Sequence, residues 1–286
     1  MKSKLRNYID LTKPRVMVLV VLSGVTALFL EGSAVSRPLD ALLITLGVYL
    51  AGGSANALNQ YFEREIDARM SRTRKRRPLP LGNIKPKNAL IFAMAIGVIS
   101  IVMFGFAYNW LSALLAFATI IFYGFFYTLW LKPNTDQNIV IGGAAGAMAP
   151  LISWAAATGS LAIAPAILFL IVFIWTPPHF WALALYFKDD YKKVGLPMLP
   201  IVRGEKRALN QIFFYTLALF AVSLALLAVS AGPVYAIAAI LLGGLFVKKA
   251  YQARRQKTRK LQWALFGYSI VYLFGLFFAM IIDSFV

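Results

Sequence analysis

The sequence predicts an all-α polytopic membrane protein, nine transmembrane helices around a central cavity. Three observations predict it. Of 286 residues, 60% are hydrophobic and only 14% charged, with mean hydropathy +0.72, and a water-soluble domain cannot hide that much apolar surface. Apolar runs repeatedly approach the ~20 residues an α-helix needs to cross hydrocarbon. The 29 lysines and arginines, counted against nine helices, fall almost wholly on one side. Residues 1–286 read as a single membrane domain.

The elements follow in order. The basic start, MKSKLR, leads into an apolar stretch from Val16 to Leu30 with no small-residue cleavage site, so 14–31 is read as a retained first helix. The second, 39–62, opens after Arg37-Pro38. Tyr108-Asn109 divides 88–107 from 110–130, and Lys132-Pro133-Asn134 precedes 138–157. Next comes 161–183, where adjacent Pro177 and Pro178 remove two ladder donors and predict a kink or interruption. Gly232-Pro233 divides 208–230 from 233–250, and 263–283 closes the chain.

With the N-terminus cytoplasmic, 28 of the 29 basic residues are inside, Arg37 alone is outside, and the C-terminus faces outward. The net charge of +18 then reads as a topology signal and not as a nucleic-acid footprint. The start is too short for an organelle transit peptide, so a prokaryotic plasma membrane is expected. With no cysteine, disulfides, thiolate metal sites and cysteine nucleophiles are excluded. No acid, lysine or arginine lies near the middle of a helix, which counts against an ion-coupled transporter. Polar clusters follow the second and the sixth helix, four helices apart, as a duplicated unit would place them.

Asn59, Glu63 and Asp67 are spaced i, i+4, i+8, so on a helix they share one face and span roughly 12 Å. An isolated acid at a helix end is ordinarily a solvated group paired with neighbouring arginines. Here an amide lies one turn deeper, with Asn56 close by, and polar groups descending into a membrane helix are costly unless they line a cavity. Carboxylates hold Mg²⁺, Mg²⁺ holds phosphate oxygens, and arginines take up the remaining charge. The loop after this helix supplies Arg72, Arg74, Arg76 and Arg77 as a candidate phosphate clamp, although basic loops beside membranes are usually topology signals.

After the sixth helix, Asp190 and Tyr191 lie among Lys188, Lys192 and Lys193. Alone this is a solvated loop. Facing the first cluster, Asp190 would join Glu63 and Asp67 as a metal ligand, and two Mg²⁺ ions would neutralise a departing pyrophosphate. His179, the single histidine, comes directly after the two prolines and is flanked by Trp175, Phe180 and Trp181. It is either satisfied by carbonyls freed at the kink or is a group that ligates or orients a substrate, or acts as a base.

These residues resemble the UbiA superfamily of intramembrane prenyltransferases, and within it the heme O synthase branch. The resemblance rests on Asn59-x-x-x-Glu63-x-x-x-Asp67, on residues 11–16 (LTKPRV), on 70–73 (MSRT) with 77–80 (RPLP), on Pro178-His179, and on Asp190-Tyr191 followed by 195–200 (GLPMLP). It extends from residue 11 to about 200. Two departures are visible: Val194 stands where the superfamily's second motif often has an aspartate, and the spacing leaves open which of Arg76 and Arg77 takes the family's position. The resemblance implies Mg²⁺ as cofactor, with Asn59, Glu63, Asp67, Asp190 and His179 as catalytic residues. It implies binding by Asn56, Arg72, Arg74, Arg76, Arg77, Lys188, Tyr191 and Lys192. It implies farnesyl diphosphate and heme B as substrates, heme O as product, a lipid bilayer as surroundings and a downstream heme A synthase as partner. The rival readings are prenylation of an aromatic quinone precursor or other lipid acceptor, and transport without chemistry.

Overall fold

The computed structural model describes residues 3–286. Among them nine helices are long and apolar enough to cross a membrane: span 1 (Pro14–Glu31), span 2 (Pro38–Phe62), span 3 (Pro86–Tyr108), span 4 (Trp110–Asn134), span 5 (Asn138–Thr158), span 6 (Ile163–Tyr186), span 7 (Gly204–Ala228), span 8 (Pro233–Gln256) and span 9 (Arg259–Asp283). No strand occurs among the described residues. This is the economy a bilayer imposes, since a helix satisfies its backbone within itself.

Two apolar cores organise the bundle. One joins Ile44, Val48, Leu58, Phe104, Ile120 and Ile152, chiefly from spans 2 to 5. The other joins Leu168, Ile171, Trp181, Leu219, Phe246 and Phe277, chiefly from spans 6 to 9. Span 1 lies between the two groups and packs on spans 2, 5 and 9. Helix contacts inside a membrane depend on close approach, because lipid is as apolar as leucine. Spans 2 and 3 show the device: Ser54 Oγ donates to Ala93 O at 2.8 Å and Ser100 Oγ to Gly47 O at 2.9 Å. Large apolar groups point outward instead, among them Leu42, Ile91, Val98 and Phe106.

The structure corrects the expectation for the prolines of span 6. Its helix runs unbroken through Pro177 and Pro178. Spans 5, 7 and 9 pack around it, and Thr176 Oγ1 donates to Val172 O at 2.8 Å, so the polar groups near the prolines find partners. The break lies in span 5, where Asn138–Ala147 ends and Ala149–Thr158 begins with Pro150 in its first turn. Span 4 is longer than its hydropathy suggests and ends in a wide-turn π-helix, Phe122–Leu131. Span 8 likewise runs on past residue 250 to Gln256.

The wide turn of span 4 sets which side chains share a face. A turn closed by i→i+5 bonds holds more residues than an α turn, so Tyr123, Thr128 and Lys132 line one side. Gly142 of span 5 makes room for this segment: a Cβ there would run into the ring of Tyr127. Gly142→Ala is expected to push that ring and to destabilise the detergent-solubilised protein by about 1–3 kcal/mol, the usual cost of overpacking. A thermal melt beside the unsubstituted protein checks it.

Candidate active site

At the basic end of the bundle, Asn59, Glu63 and Asp67 meet as the spacing requires, although not on one helix. Span 2 ends at Phe62 and a short helix, Arg64–Arg69, begins after Glu63. The backbone ladder survives the break: Glu63 N–H donates to Asn59 O at 3.0 Å and Asp67 N–H to Glu63 O at 2.8 Å. The side chains therefore stay on one face. All three are buried, at 1%, 3% and 2% exposure. Buried carboxylates require partners, and here the partners are cations from three separate stretches of chain.

Lys132 pairs with Glu63, and Arg77 pairs with Asp67 while standing 3.8 Å from Glu63. Lys13 Nζ donates to Asn59 Oδ1 at 2.7 Å, and Asn59 Nδ2 donates to Thr128 Oγ1 at 3.1 Å. Lys13 adopts the left-handed conformation, φ 53°, immediately before Pro14 at the start of span 1. That is an uncommon conformation for a non-glycine residue, and here it accompanies a side chain turned inward. Lys13 also lies over the Tyr123 ring and Lys132 over the Tyr127 ring, each 6.0 Å from the centroid. Three cations thus face two carboxylates, and the surplus positive charge is the electrostatic demand for an anion.

The titration behaviour reflects this crowding. Burial lowers Lys13 well below the ordinary lysine value, helped by Arg77 and Lys132 and opposed by the two acids. Burial pushes Glu63 up, but Lys132, Arg77 and Lys13 outweigh it and hold the carboxyl below its usual range. For Asp67 burial wins over Arg77, reinforced by the Glu63 charge, and the carboxyl is raised. Two neighbouring carboxylates driven apart in this way mark a site arranged for ligand charge.

A second group forms beside it. Asp190 Oδ2 accepts from Ser71 Oγ at 2.6 Å and from Arg72 N–H at 3.2 Å, and the Arg72 guanidinium lies 5.9 Å from the Tyr191 ring centroid. Burial would raise Asp190, but the Ser71 and Arg72 bonds outweigh it and lower the carboxyl. Asp190 thus joins the arginine loop; among the described residues no group of three or more metal-ligating side chains forms. Glu63, Asp67 and Asn59 are oxygen donors of the hard type that Mg²⁺ prefers, so the set fits that ion, with the cations free to pass to a phosphate.

Not every expected residue reaches the site. Arg74, Arg76, Lys188 and Lys192 are exposed. Of Arg76 and Arg77, the structure turns only Arg77 inward. Asn56 is spent on structure, donating to Thr12 O at 3.2 Å. His179 faces span 9, away from the acids: Nδ1 lies 2.7 Å from Ser269 Oγ, and the ring stacks on Trp175 at 4.2 Å and meets Phe266 at 4.7 Å. Ser269 Oγ gives its proton to Phe266 O at 2.6 Å, so it must accept from His179. Nδ1 then carries the hydrogen and Nε2 a lone pair. Rings continue from His179 through Phe266, Trp263 and Tyr186, at 4.7, 5.1 and 4.5 Å, to Arg259, 4.6 Å from the Tyr186 centroid. A cleft of about 210 Å³ at that end is lined by Lys188, Lys257 and Arg259 among others.

Lys13, Lys132, Thr128 and Ser71 were not singled out by the sequence. Lys13 does stand inside the LTKPRV segment, and Lys132 is the one cation of its loop.

Comparison with known proteins agrees with this geometry. The UbiA prenyltransferase family model matches residues 18–281. The chain is 47% identical to the protoheme IX farnesyltransferase of Erythrobacter litoralis, covering 98% of this chain and 92% of that one. It is 46% identical to the protoheme IX farnesyltransferase of Synechocystis, covering 98% and 89%. Among solved structures it shares a fold with a digeranylgeranylglyceryl phosphate synthase, at TM-score 0.81 and 20% identity, covering 98% of each chain. It shares a fold also with a UbiA homolog from Archaeoglobus fulgidus bound to GPP and Mg²⁺, at TM-score 0.64 and 16% identity, covering 96% of this chain and 99% of that one. With buried acids ringed by cations at the basic end of nine apolar spans, and a family match over nearly its whole length, this chain is a multi-pass membrane enzyme that belongs to the UbiA prenyltransferase family.

Proposed function

We propose that the chain transfers a farnesyl group from farnesyl diphosphate to a vinyl group of heme B, with addition of water, giving heme O. The observation that carries the prenyl-transfer half is the pair of buried acids, Glu63 and Asp67, ringed by Lys13, Arg77 and Lys132. Lys13, Arg77 and Lys132 would bind the diphosphate and stabilise the charge that grows on it as the allylic C–O bond breaks. Glu63, Asp67 and Asn59 would hold Mg²⁺, which supplies Lewis-acid neutralisation of that leaving group. The bonding pair leaves with the diphosphate. A vinyl carbon then bonds to the farnesyl carbon, water adds as hydroxyl to the cation so formed, and a proton is released. Packed apolar spans limit early capture of the farnesyl cation by water.

The acceptor half rests on the names of the relatives and on two features of span 6. His179 presents an unprotonated Nε2, a group suited to iron. The ring series to Arg259, with its basic cleft, offers a flat wall that ends in carboxylate partners. We place the basic face in the cytoplasm, the C-terminus outside, and the chain as one domain of a prokaryotic plasma membrane. A heme A synthase would consume the product.

Two experiments test the halves separately. Chelation of divalent ions with EDTA should abolish diphosphate release, and added Mg²⁺ should restore it; release unaffected by chelation would remove the metal from the mechanism. Titration of purified protein with heme B should give a shifted Soret band. His179→Ala should lose that shift, and added imidazole should recover it. An identical band in the variant would leave His179 a packing residue.

A further inference from the structure

The acidic residue after span 6 is the natural candidate for a second metal ligand, yet its bonds point elsewhere. One oxygen of Asp190 holds both the Ser71 hydroxyl, at 2.6 Å, and the Arg72 backbone N–H, at 3.2 Å. These bonds tie the helix Lys188–Lys193 to the helix Ser71–Arg74, and so join the loop after span 6 to the loop after span 2. The next residue, Tyr191, is buried and sets its ring beside the Arg72 guanidinium. On the other side, Thr73 Oγ1 donates to Asp67 O at 2.7 Å. Residues 71–73 are therefore fastened at one end to a metal-site acid and at the other to Asp190.

What is fastened is an arginine with work left to do. Arg72 Nε is buried without a hydrogen-bond partner. The Arg72 charge acts on the Tyr127 hydroxyl, and the Tyr127 ring lies under Lys132. A buried guanidinium nitrogen with no acceptor, close to a cluster with surplus positive charge, is what an absent oxyanion would satisfy. Arginine is useful there only if its planar fork is pre-oriented, because a free arginine side chain loses substantial rotamer entropy on binding.

We infer that Asp190 is a positioning residue: through Ser71 and the Arg72 backbone it holds Arg72 ready for the prenyl diphosphate, and it does not ligate metal. This rests on the prenyl-diphosphate half of the proposed function and not on the identity of the acceptor. Val194, which stands where a partner carboxylate would be needed, fits the same reading.

The test separates a clamp from a ligand through Ser71, an exposed residue that can be trimmed without disturbing a core. Ser71→Ala, Asp190→Ala and Asp190→Asn are compared for KM and kcat with farnesyl diphosphate, for the Mg²⁺ concentration at half-maximal rate, and for calorimetric binding of inorganic pyrophosphate in Mg²⁺. A clamp predicts that Asp190→Ala raises KM about tenfold, the factor one charge-assisted hydrogen bond supplies. Ser71→Ala should reproduce much of that rise, and Asp190→Asn, which keeps an acceptor oxygen, should restore most of the binding. The Mg²⁺ requirement should not move. A metal ligand predicts the reverse, and that result would overturn the inference: a shifted Mg²⁺ requirement and lowered kcat in both Asp190 variants, with Ser71→Ala unchanged. Pyrophosphate calorimetry reads the clamp whatever acceptor the enzyme uses, so failure of the heme assignment remains distinct.

Discussion

Asp67→Asn should lower the rate of diphosphate release at least about a hundredfold, the scale on which a single stabilising group at a developing charge acts. The substitution preserves shape and removes the charge. Asp67 is one of only two carboxylates in the buried cluster, and its loss removes half of the site's capacity for a divalent cation. The fold should survive, because Arg77 keeps Glu63 as a neighbour at 3.8 Å and retains some solvent access. Size-exclusion behaviour and melting temperature report folding, and labelled farnesyl diphosphate reports turnover. A folded variant with turnover near that of the unsubstituted protein would refute the assignment.

Arg77→Lys should come next in severity. Arg77 reaches both acids, bonded to Asp67 and near Glu63, and only a guanidinium presents donors in a fixed fork. Lysine keeps the charge and loses the fork. The expected result is a KM for farnesyl diphosphate raised about tenfold or more, the loss of at least one charge-assisted bond. kcat should fall as well, since the same bonds strengthen as the diphosphate departs. A lysine variant with unchanged KM and kcat would show that charge alone is needed at this position.

The sequence made the bundle legible because a bilayer enforces simple rules. Nine apolar lengths and a one-sided distribution of basic residues leave little freedom, and the nine spans lie close to where hydropathy puts them. The acid spacing was legible for the same kind of reason: Asn59, Glu63 and Asp67 stay on one face even though the helix breaks at Glu63, because the backbone bonds continue across the break. The cations were harder to read. Lys13 and Lys132 are 46 and 69 residues from the acceptors they meet, Asn59 and Glu63, so their role depends on packing of spans 1, 2 and 4. The π-helix that helps to place Thr128 and Lys132 has no apolar periodicity of its own to announce it. Span 6 misled for a local reason: two prolines argue for a break, and neighbouring spans hold the helix straight through them. Arg74, Arg76, Lys188 and Lys192 share a charge and a neighbourhood with Arg77, and only the fold distinguishes the inward residue from the exposed ones.

The central claim is tested most directly by the product. Purified protein is incubated with Mg²⁺, farnesyl diphosphate and heme B, with an aromatic quinone precursor in a parallel reaction, and the products are read by mass spectrometry. Heme farnesylation predicts a heme heavier by one farnesyl group and one water, formed with release of one diphosphate per heme. Unaltered heme together with a prenylated aromatic product would contradict the acceptor assignment, and release of no diphosphate with either acceptor, from folded protein, would contradict prenyl transfer at the Glu63–Asp67 cluster.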